Sequence, residues 1–322
     1  MSESKLRIVI PGGSGQVGAL LARHFHGLGH AVTVLSRSAR PAPWSVVEWD
    51  GAIEGAWVAE LEGCDACINL TGRSVNCRYG EENRREIYDS RILSTRLLNR
   101  VIASLSDPPK LWLNASTATI YRHSLDRAND EATGELGGGE PGAPDTWDFS
   151  IRVAKDWEGA FFETPTPRTR KVAIRSAVTF SPGNGGIFDV LSALVRRGLG
   201  GMNGNGRQMV SWVHGDDFVR AVEFLIDREE LSGVVNIASP GPVANREFMR
   251  ILRKAWGVPV GLPAPSWLIE IGCFLMRTES ELVLKSRFVV PGRLEEAGFR
   301  FLFPEWPAAA TDLVTGWRSQ RR

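Results

Sequence analysis

Four glycines, Gly12, Gly13, Gly15 and Gly18, directly follow the apolar run of residues 6–10. Glycine leaves backbone N–H groups unscreened, so a cluster of this kind can wrap an anion. The pattern is Gly13-x-Gly15-x-x-Gly18 or, equally, Gly12-x-x-Gly15-x-x-Gly18. Either way the last glycine falls in the first turn of a helix whose apolar face is Val17, Leu20, Leu21, Phe25 and Leu28. A strand pattern returns over residues 31–35. Strand, glycine turn, helix and strand is the setting in which such glycines bind the pyrophosphate of a dinucleotide. One permits the sharp turn, one lets backbone approach phosphate and one lets helix pack on strand. The helix N-terminus adds free donors and a positive dipole end. A nucleophile elbow would also put Ser14 between strand and helix, but G-x-S-x-G demands glycine where Gln16 stands.

A second group lies at the end of the second strand. An acid there binds both ribose hydroxyls of NAD(H), whereas an arginine suits the 2′-phosphate of NADP(H). The chain has Ser36-Arg37, with Arg40 close behind and no acid between Ser36 and Trp44. NADP(H) is therefore the expected cofactor. Cys64 and Cys67 form a C-x-x-C, but no second such pair or histidine cluster completes a zinc site. Two small thiols beside a strand are expected, and no metal. His24, His26 and His30 are expected on a helix surface.

The elements that must position these groups follow from periodicity. Residues 45–49 suggest a third strand ended by the turn Asp50-Gly51, and residues 66–70 a fourth, stopping at Thr71-Gly72. A helix is predicted over residues 81–105, with Ile87, Ile92, Leu93, Leu97, Leu98, Val101 and Ile102 on one buried stripe, broken by Pro108 and Pro109. A strand over 111–115, a surface loop over 129–147, a helix over 149–162 and a strand over 170–178 come next. The segment 187–195 is an apolar helix between glycine-rich stretches. Strands at 210–213 and 234–237 flank a helix at 217–226, and the chain from Pro240 is mostly helical with proline-marked joints. Alternation of this kind implies a doubly wound α/β fold, a parallel sheet covered on both faces. Residues 1–178 with a returning segment 210–238 are expected to form the nucleotide-binding domain, and 179–209 with 239–322 a smaller, mostly helical substrate lobe.

The balance of 38 Lys and Arg against 37 Asp and Glu, net +1, leaves no electrostatic footprint for nucleic acid or anionic membrane. No stretch reaches the roughly 18 apolar residues of a membrane span, and the N-terminus has no signal-peptide core. A soluble cytoplasmic protein with a small-molecule substrate is expected.

Several stretches together resemble the extended short-chain dehydrogenase/reductases, the NAD-dependent epimerase/dehydratase family. They are GGSGQVG (residues 12–18), INLTG (68–72), STATIY (116–121) and SWVHGDD (211–217). In the C-terminal part PSWLIEIG (265–272), LKSRFVVPGRLEEAGFRF (284–301) and FPEW (303–306) resemble the sugar-nucleotide-epimerase-like, or cell-division-inhibitor-like, branch with its own short C-terminal domain. The resemblance implies a Rossmann fold in which Gly12, Gly15 and Gly18, with the intervening Gln16 and Val17, hold the pyrophosphate. Ser36 and Arg37 would then meet the adenosine ribose, Leu70 and Thr71 line the adenosine and ribose, and Glu86, Arg91 and Arg175 also contact the cofactor. Asp50 either caps the adenine edge or simply makes a D-G turn.

In that family a Ser or Thr hydroxyl positions the substrate oxygen, and a Tyr transfers the proton, its pKa lowered by a Lys four residues later. Thr117 matches the hydroxyl, with Tyr121 as the neighbouring phenol. The Tyr-x-x-x-Lys pair itself is missing: aligning on Asp156-Trp157-Glu158 puts Arg152 and Asp156 in its place, with Lys155 one residue off. The expected function is an NADP(H)-dependent oxidoreductase or epimerase acting on a small hydroxyl or carbonyl compound, nucleotide sugars among the candidates. The alternative is an NADPH-binding sensor or interaction protein with little turnover. The substrate site is expected near Thr117 and Tyr121, with glycine-rich segments around Gly185 and Gly204, His214 and Asp217 as its far wall.

Overall fold

The computed structural model describes residues 5–38, 40–183 and 186–321. The first half alternates strand and helix: β1 (Arg7–Pro11), α1 (Gln16–Gly27), β2 (Ala31–Ser36), β3 (Ser45–Glu48), α2 (Val58–Leu61), β4 (Ala66–Asn69), α3 (Glu81–Ser104), β5 (Leu111–Thr117), α4 (Asp145–Phe162) and β6 (Arg170–Ser176). There follow β7 (Val178–Phe180), α5 (Ile187–Arg196), β8 (Met209–Val210), β9 (Trp212–His214), α6 (Gly215–Asp227), β10 (Gly233–Ile237), β11 (Val243–Ala244) and α7 (Asn245–Trp256). The chain ends with α8 (Ser266–Leu275), α9 (Glu281–Leu284), α10 (Gly292–Glu296) and α11 (Trp306–Ser319).

Seven strands make one sheet in the order β10-β6-β5-β4-β1-β2-β3, every pair parallel. This is the doubly wound arrangement expected from the alternation, and its order reverses at β1, between β4 and β2. Because both faces are covered, the strands alternate between two cores rather than between core and solvent. Ile8 and Ile10 pack with Leu21 and Phe25 of α1 and Phe218 and Val222 of α6. Val9 and Cys67 face the other way, onto Leu97, Leu98 and Val101 of α3 and onto Phe161 of α4. A separate core of Phe180, Phe188, Trp212, Phe248, Trp306 and Leu313 joins α5, α7 and α11. No helix among the described residues is long and apolar enough to cross a membrane.

Several boundaries differ from expectation. The strand predicted over 170–178 is divided: β6 stops at Ser176, with the Ala177 N–H still bonded to the Ile237 carbonyl of β10 at 3.0 Å, and Val178 opens β7, which pairs with β9 instead. The one predicted over 210–213 is cut at Ser211, whose hydroxyl donates to the Arg287 carbonyl at 2.7 Å and accepts the Val289 N–H at 2.8 Å. Its halves pair with different partners, β8 with β11 and β9 with β7. Of the expected returning segment 210–238, β10 joins the large sheet. α2, a single turn, carried no periodic signal. His30 lies beyond the end of α1 and accepts the Leu6 N–H at 3.3 Å. Cys64 and Cys67 are buried free thiols, and desolvation raises the Cys64 pKa to about 12.

Candidate functional site

The glycine loop crosses the C-terminal edge of the sheet and is shaped by close approach. Gly12 has φ +74°, and a Cβ there would lie 2.8 Å from both Cα and N of Thr71. A Cβ on Gly13 would lie 2.9 Å from the Ile10 side chain, and one on Gly18 would be driven into the Gly13 backbone. Gly15 differs. It is the N-cap of α1, with ordinary φ −74° and no side-chain cap, and a Cβ on it would meet only the Gly12 carbonyl, at 3.9 Å. Among the described residues the space in front of Gly15 is thus open, at the helix N-terminus where Gln16 and Val17 supply first-turn N–H groups, the arrangement that binds an anion. Beside the loop, Asn69 is fully buried. Its amide donates to Asn114 at 2.7 Å and its carbonyl oxygen accepts the Thr71 N–H at 3.1 Å. That fixes the Leu70-Thr71 turn against Gly12. Among the described residues the buried Thr71 hydroxyl has no hydrogen-bond partner, as a group waiting for a ligand would show.

At the end of β2 Ser36 is buried, whereas Arg37 is exposed and has no ion pair among the described residues. Asp50 makes the plain turn: its carboxylate accepts the N–H groups of Ala52 at 2.8 Å and Ile53 at 3.1 Å, and Gly51 has φ +80°.

A cavity of about 270 Å³ lies over the end of β5, and Thr117, Arg91, Tyr79, Ser150, Glu281 and Arg287 line it. Thr117 Oγ1 accepts the Thr119 N–H at 3.1 Å, capping a short 3-10 turn over Ala118–Ile120. The Thr117 O–H therefore remains to donate. Arg91 donates to the carbonyls of Ile87 at 2.9 Å and Arg73 at 3.0 Å and stacks on Trp157. Burial lowers its pKa to about 10. Glu86 is placed differently from Arg91, exposed and 2.8 Å from Arg73.

α4 turns Ser150, Val153, Ala154 and Trp157 toward this cavity. Arg152 is exposed and Asp156 is half-buried, and neither lines the cavity. The alignment that put Arg152 and Asp156 in the positions of the missing pair is therefore corrected. Ser150 and Ala154, four residues apart, occupy the face opposite Thr117. The apolar stripe Phe149, Val153, Trp157 and Ala160 carried that register in the sequence, since residues on the same helix face recur at three and four.

Tyr121 does not reach the cavity. The 3-10 turn sends it inward, where its hydroxyl donates to Asn236 at 3.0 Å or the Asp130 carbonyl at 3.1 Å, and accepts from Arg175 at 2.9 Å. Arg175 is itself tied in a bidentate pair to Glu158, two contacts of 2.8 Å. Tyr121 and Arg175 thus form a buried brace beneath the site. The cavity phenol is Tyr79, a residue that no motif marked. It lies against the Ser150 hydroxyl, and burial, then the charge of Glu281, raises its pKa to about 12. Ser150 donates to Glu281 at 2.5 Å, and Glu281 is held 3.4 Å from Arg287, its own pKa raised by burial. Arg287 also donates to Thr119 Oγ1 at 3.0 Å.

The other expected wall residues serve elsewhere. His214 caps α6, its Nδ1 accepting the Asp216 N–H at 3.1 Å, and its ring packs on Phe303. Asp217, fully buried, accepts the N–H groups of Leu302 at 2.7 Å and Phe303 at 2.8 Å. Gly204 approaches Leu284 and Ser266. Gly185 lies outside the described residues.

Known proteins resemble this chain along nearly its whole length. Residues 8–238 match the model of the NAD dependent epimerase/dehydratase family, and residues 264–313 match a domain of unknown function, DUF1731. The chain is 31% identical over 313 residues to the epimerase family protein SDR39U1 of Bos taurus, covering 96% of this chain and 100% of the relative. It is 29% identical over 316 residues to the epimerase family protein YfhF of Bacillus subtilis, covering 96% and 98%. The crystal structure of human SDR39U1 (isoform 2) with NADPH superposes with a TM-score of 0.84 at 29% identity, covering 96% of this chain and 99% of that one. With its glycine cradle, its sheet order and a family match spanning most of its length, the chain belongs to the NAD-dependent epimerase/dehydratase family of extended short-chain dehydrogenase/reductases.

Proposed function

We propose that the protein is an NADP(H)-dependent oxidoreductase or epimerase acting on a small hydroxyl or carbonyl compound. The observation that carries this reading is the placement of the Thr117 hydroxyl, free to donate, in a cavity at the same sheet edge as the glycine cradle. The NADPH bound by the human relative supports the cofactor. Gly12, Gly15, Gln16, Val17 and Gly18 would hold the pyrophosphate. Ser36 and Arg37 would hold the 2′-phosphate end, and Leu70 and Thr71 the adenosine side. When bound, the nicotinamide supplies or accepts a hydride. The chain's own part is to hold the reacting oxygen on Thr117, keep water out with the Phe149 and Trp157 walls, and move a proton. In this reading residues 1–178 and 210–238 carry the cofactor. The remaining segments form the substrate lobe, from which Glu281, Leu282 and Arg287 close the cavity.

A second reading, a cofactor-dependent sensor with little turnover, is favoured by one observation: Ser150 and Ala154 stand where a phenol and an amine would, and neither can replace them. Two variants separate the readings. Thr117→Val should remove NADPH consumption while leaving NADPH affinity within about twofold, since the hydroxyl acts on the substrate. Tyr121→Phe should leave turnover in place and lower stability by about 1–3 kcal/mol, the cost of stranding buried partners. Turnover that survives Thr117→Val would remove Thr117 from the chemistry. NADPH binding with no consumption of it by the wild type on any carbonyl compound would favour the sensor.

A further inference from the structure

Resting on the reading of this cavity as the substrate site, we propose that its occupant is a compact, uncharged carbonyl compound or alcohol with an apolar, ring-sized body, and not a nucleotide diphosphate sugar. The walls are Val75, Ile87, Phe149, Val153, Trp157 and Leu282. Against them stand only a few hydroxyls with a proton to donate, those of Thr117 and Thr119 beside the Tyr79 phenol, which suits a substrate with few oxygens. At about 270 Å³ the space lies at the small end of ligand sites, which run from roughly 300 to 1,000 Å³.

The charged groups point the same way. A diphosphate brings two negative charges into a site that must replace their water with cationic donors. Arg91 already aims two donors at the Ile87 and Arg73 carbonyls. Arg287 aims its donors at Thr119, at the Glu281 carbonyl 3.3 Å away and at the Glu281 carboxylate. Glu281, 1% exposed, would face the incoming phosphates directly.

Calorimetric titration of the NADPH-loaded protein with 1-tetralone and with UDP-glucose tests this. Saturable 1-tetralone binding is expected, at least about tenfold tighter than UDP-glucose. Leu282→Glu, which puts a carboxylate on the rim of the apolar wall, should weaken 1-tetralone about tenfold or more while leaving NADPH affinity unchanged. Tighter UDP-glucose binding, or 1-tetralone that fails to saturate the wild type or is indifferent to Leu282→Glu, would overturn the substrate class. Failure of NADPH itself to bind would instead count against the cofactor reading, and the two failures are read from separate titrations.

Discussion

Replacing Gly12 and Gly15 separately by alanine distinguishes a glycine needed by the fold from one needed by the ligand. At Gly12 the backbone is left-handed, φ +74°, and the added methyl would sit 2.8 Å from Cα and N of Thr71. Both are backbone atoms of a turn that Asn69 holds in place, so neither can swing aside. Alanine in the left-handed region costs about 1–2 kcal/mol, and forcing a methyl into packed backbone a further 1–3 kcal/mol or so. Gly12→Ala should therefore lose about 2–5 kcal/mol of stability. At Gly15 the angles are ordinary and the methyl would meet only one carbonyl oxygen, at 3.9 Å. Gly15→Ala should keep its stability within about 0.5 kcal/mol. Its methyl nevertheless points into the space at the mouth of α1. Losing one charge-assisted hydrogen bond to phosphate costs about 1.5–3 kcal/mol, which is roughly a 10- to 150-fold weaker Kd. Urea unfolding followed by tryptophan fluorescence reads the first quantity and NADPH fluorescence titration the second. If Gly15→Ala bound NADPH as the wild type does, or unfolded as early as Gly12→Ala, the assignment of the open space to the pyrophosphate would fail.

Arg37→Asp should reverse cofactor preference, because the exposed guanidinium at the end of β2 is replaced by a charge that repels a 2′-phosphate; wild type binding NADH more tightly than NADPH in calorimetry would refute this. Glu158→Ala strands the buried Arg175 guanidinium, so a loss of about 3–5 kcal/mol in urea unfolding is expected, and a loss below about 1 kcal/mol would show that the pair is dispensable. Lys285, 2% exposed, donates to the Thr119 carbonyl at 2.8 Å, and burial lowers its pKa from 10.5 to about 8. Between those values the unfolded chain binds more protons than the folded one, so this group makes stability rise with pH from about 8 to 10.5 and contributes no slope below 8. Relative to Lys285→Met, the wild type should gain about 3 kcal/mol over that window; parallel pH profiles would refute the assignment.

The sheet and its cofactor edge were legible because their causes are local. Parallel strands buried on both faces leave apolar runs such as residues 8–10 and 66–68, and Gly13 and Gly18 are required by contacts only a few residues away, although Gly12 is required by the distant Thr71. The stripe of α3 repeats often enough to fix its length to within a residue. What was not legible depends on where the chain goes afterwards. The division of the 210–213 strand follows from a hydroxyl bond between Ser211 and residues 287–289, a separation no periodicity reveals. Tyr121 stands five residues beyond Ser116 in a motif that faces the ligand, yet one turn of 3-10 helix sends its ring inward. Tyr79 and Glu281 come from a loop and from α9, two hundred residues apart in sequence, and only folding brings them to Ser150.

The register of α4 then links two features that looked independent. Ser150 and Ala154 are much smaller than the tyrosine and lysine of the family pattern, so the loss of that pair opens part of the very cavity whose walls are apolar. The phenol that remains, Tyr79, has its pKa raised to about 12 by burial first and by the charge of Glu281 second, so it is protonated at neutral pH. A protonated phenol can give a proton to an oxygen that is gaining negative charge but cannot take one from an alcohol. Ser150, which donates to Glu281, lies beside the Tyr79 hydroxyl. On the proposed reading the protonated Tyr79 and the Thr117 hydroxyl would both serve as donors in the cavity, the protonation states that reduction of a carbonyl calls for.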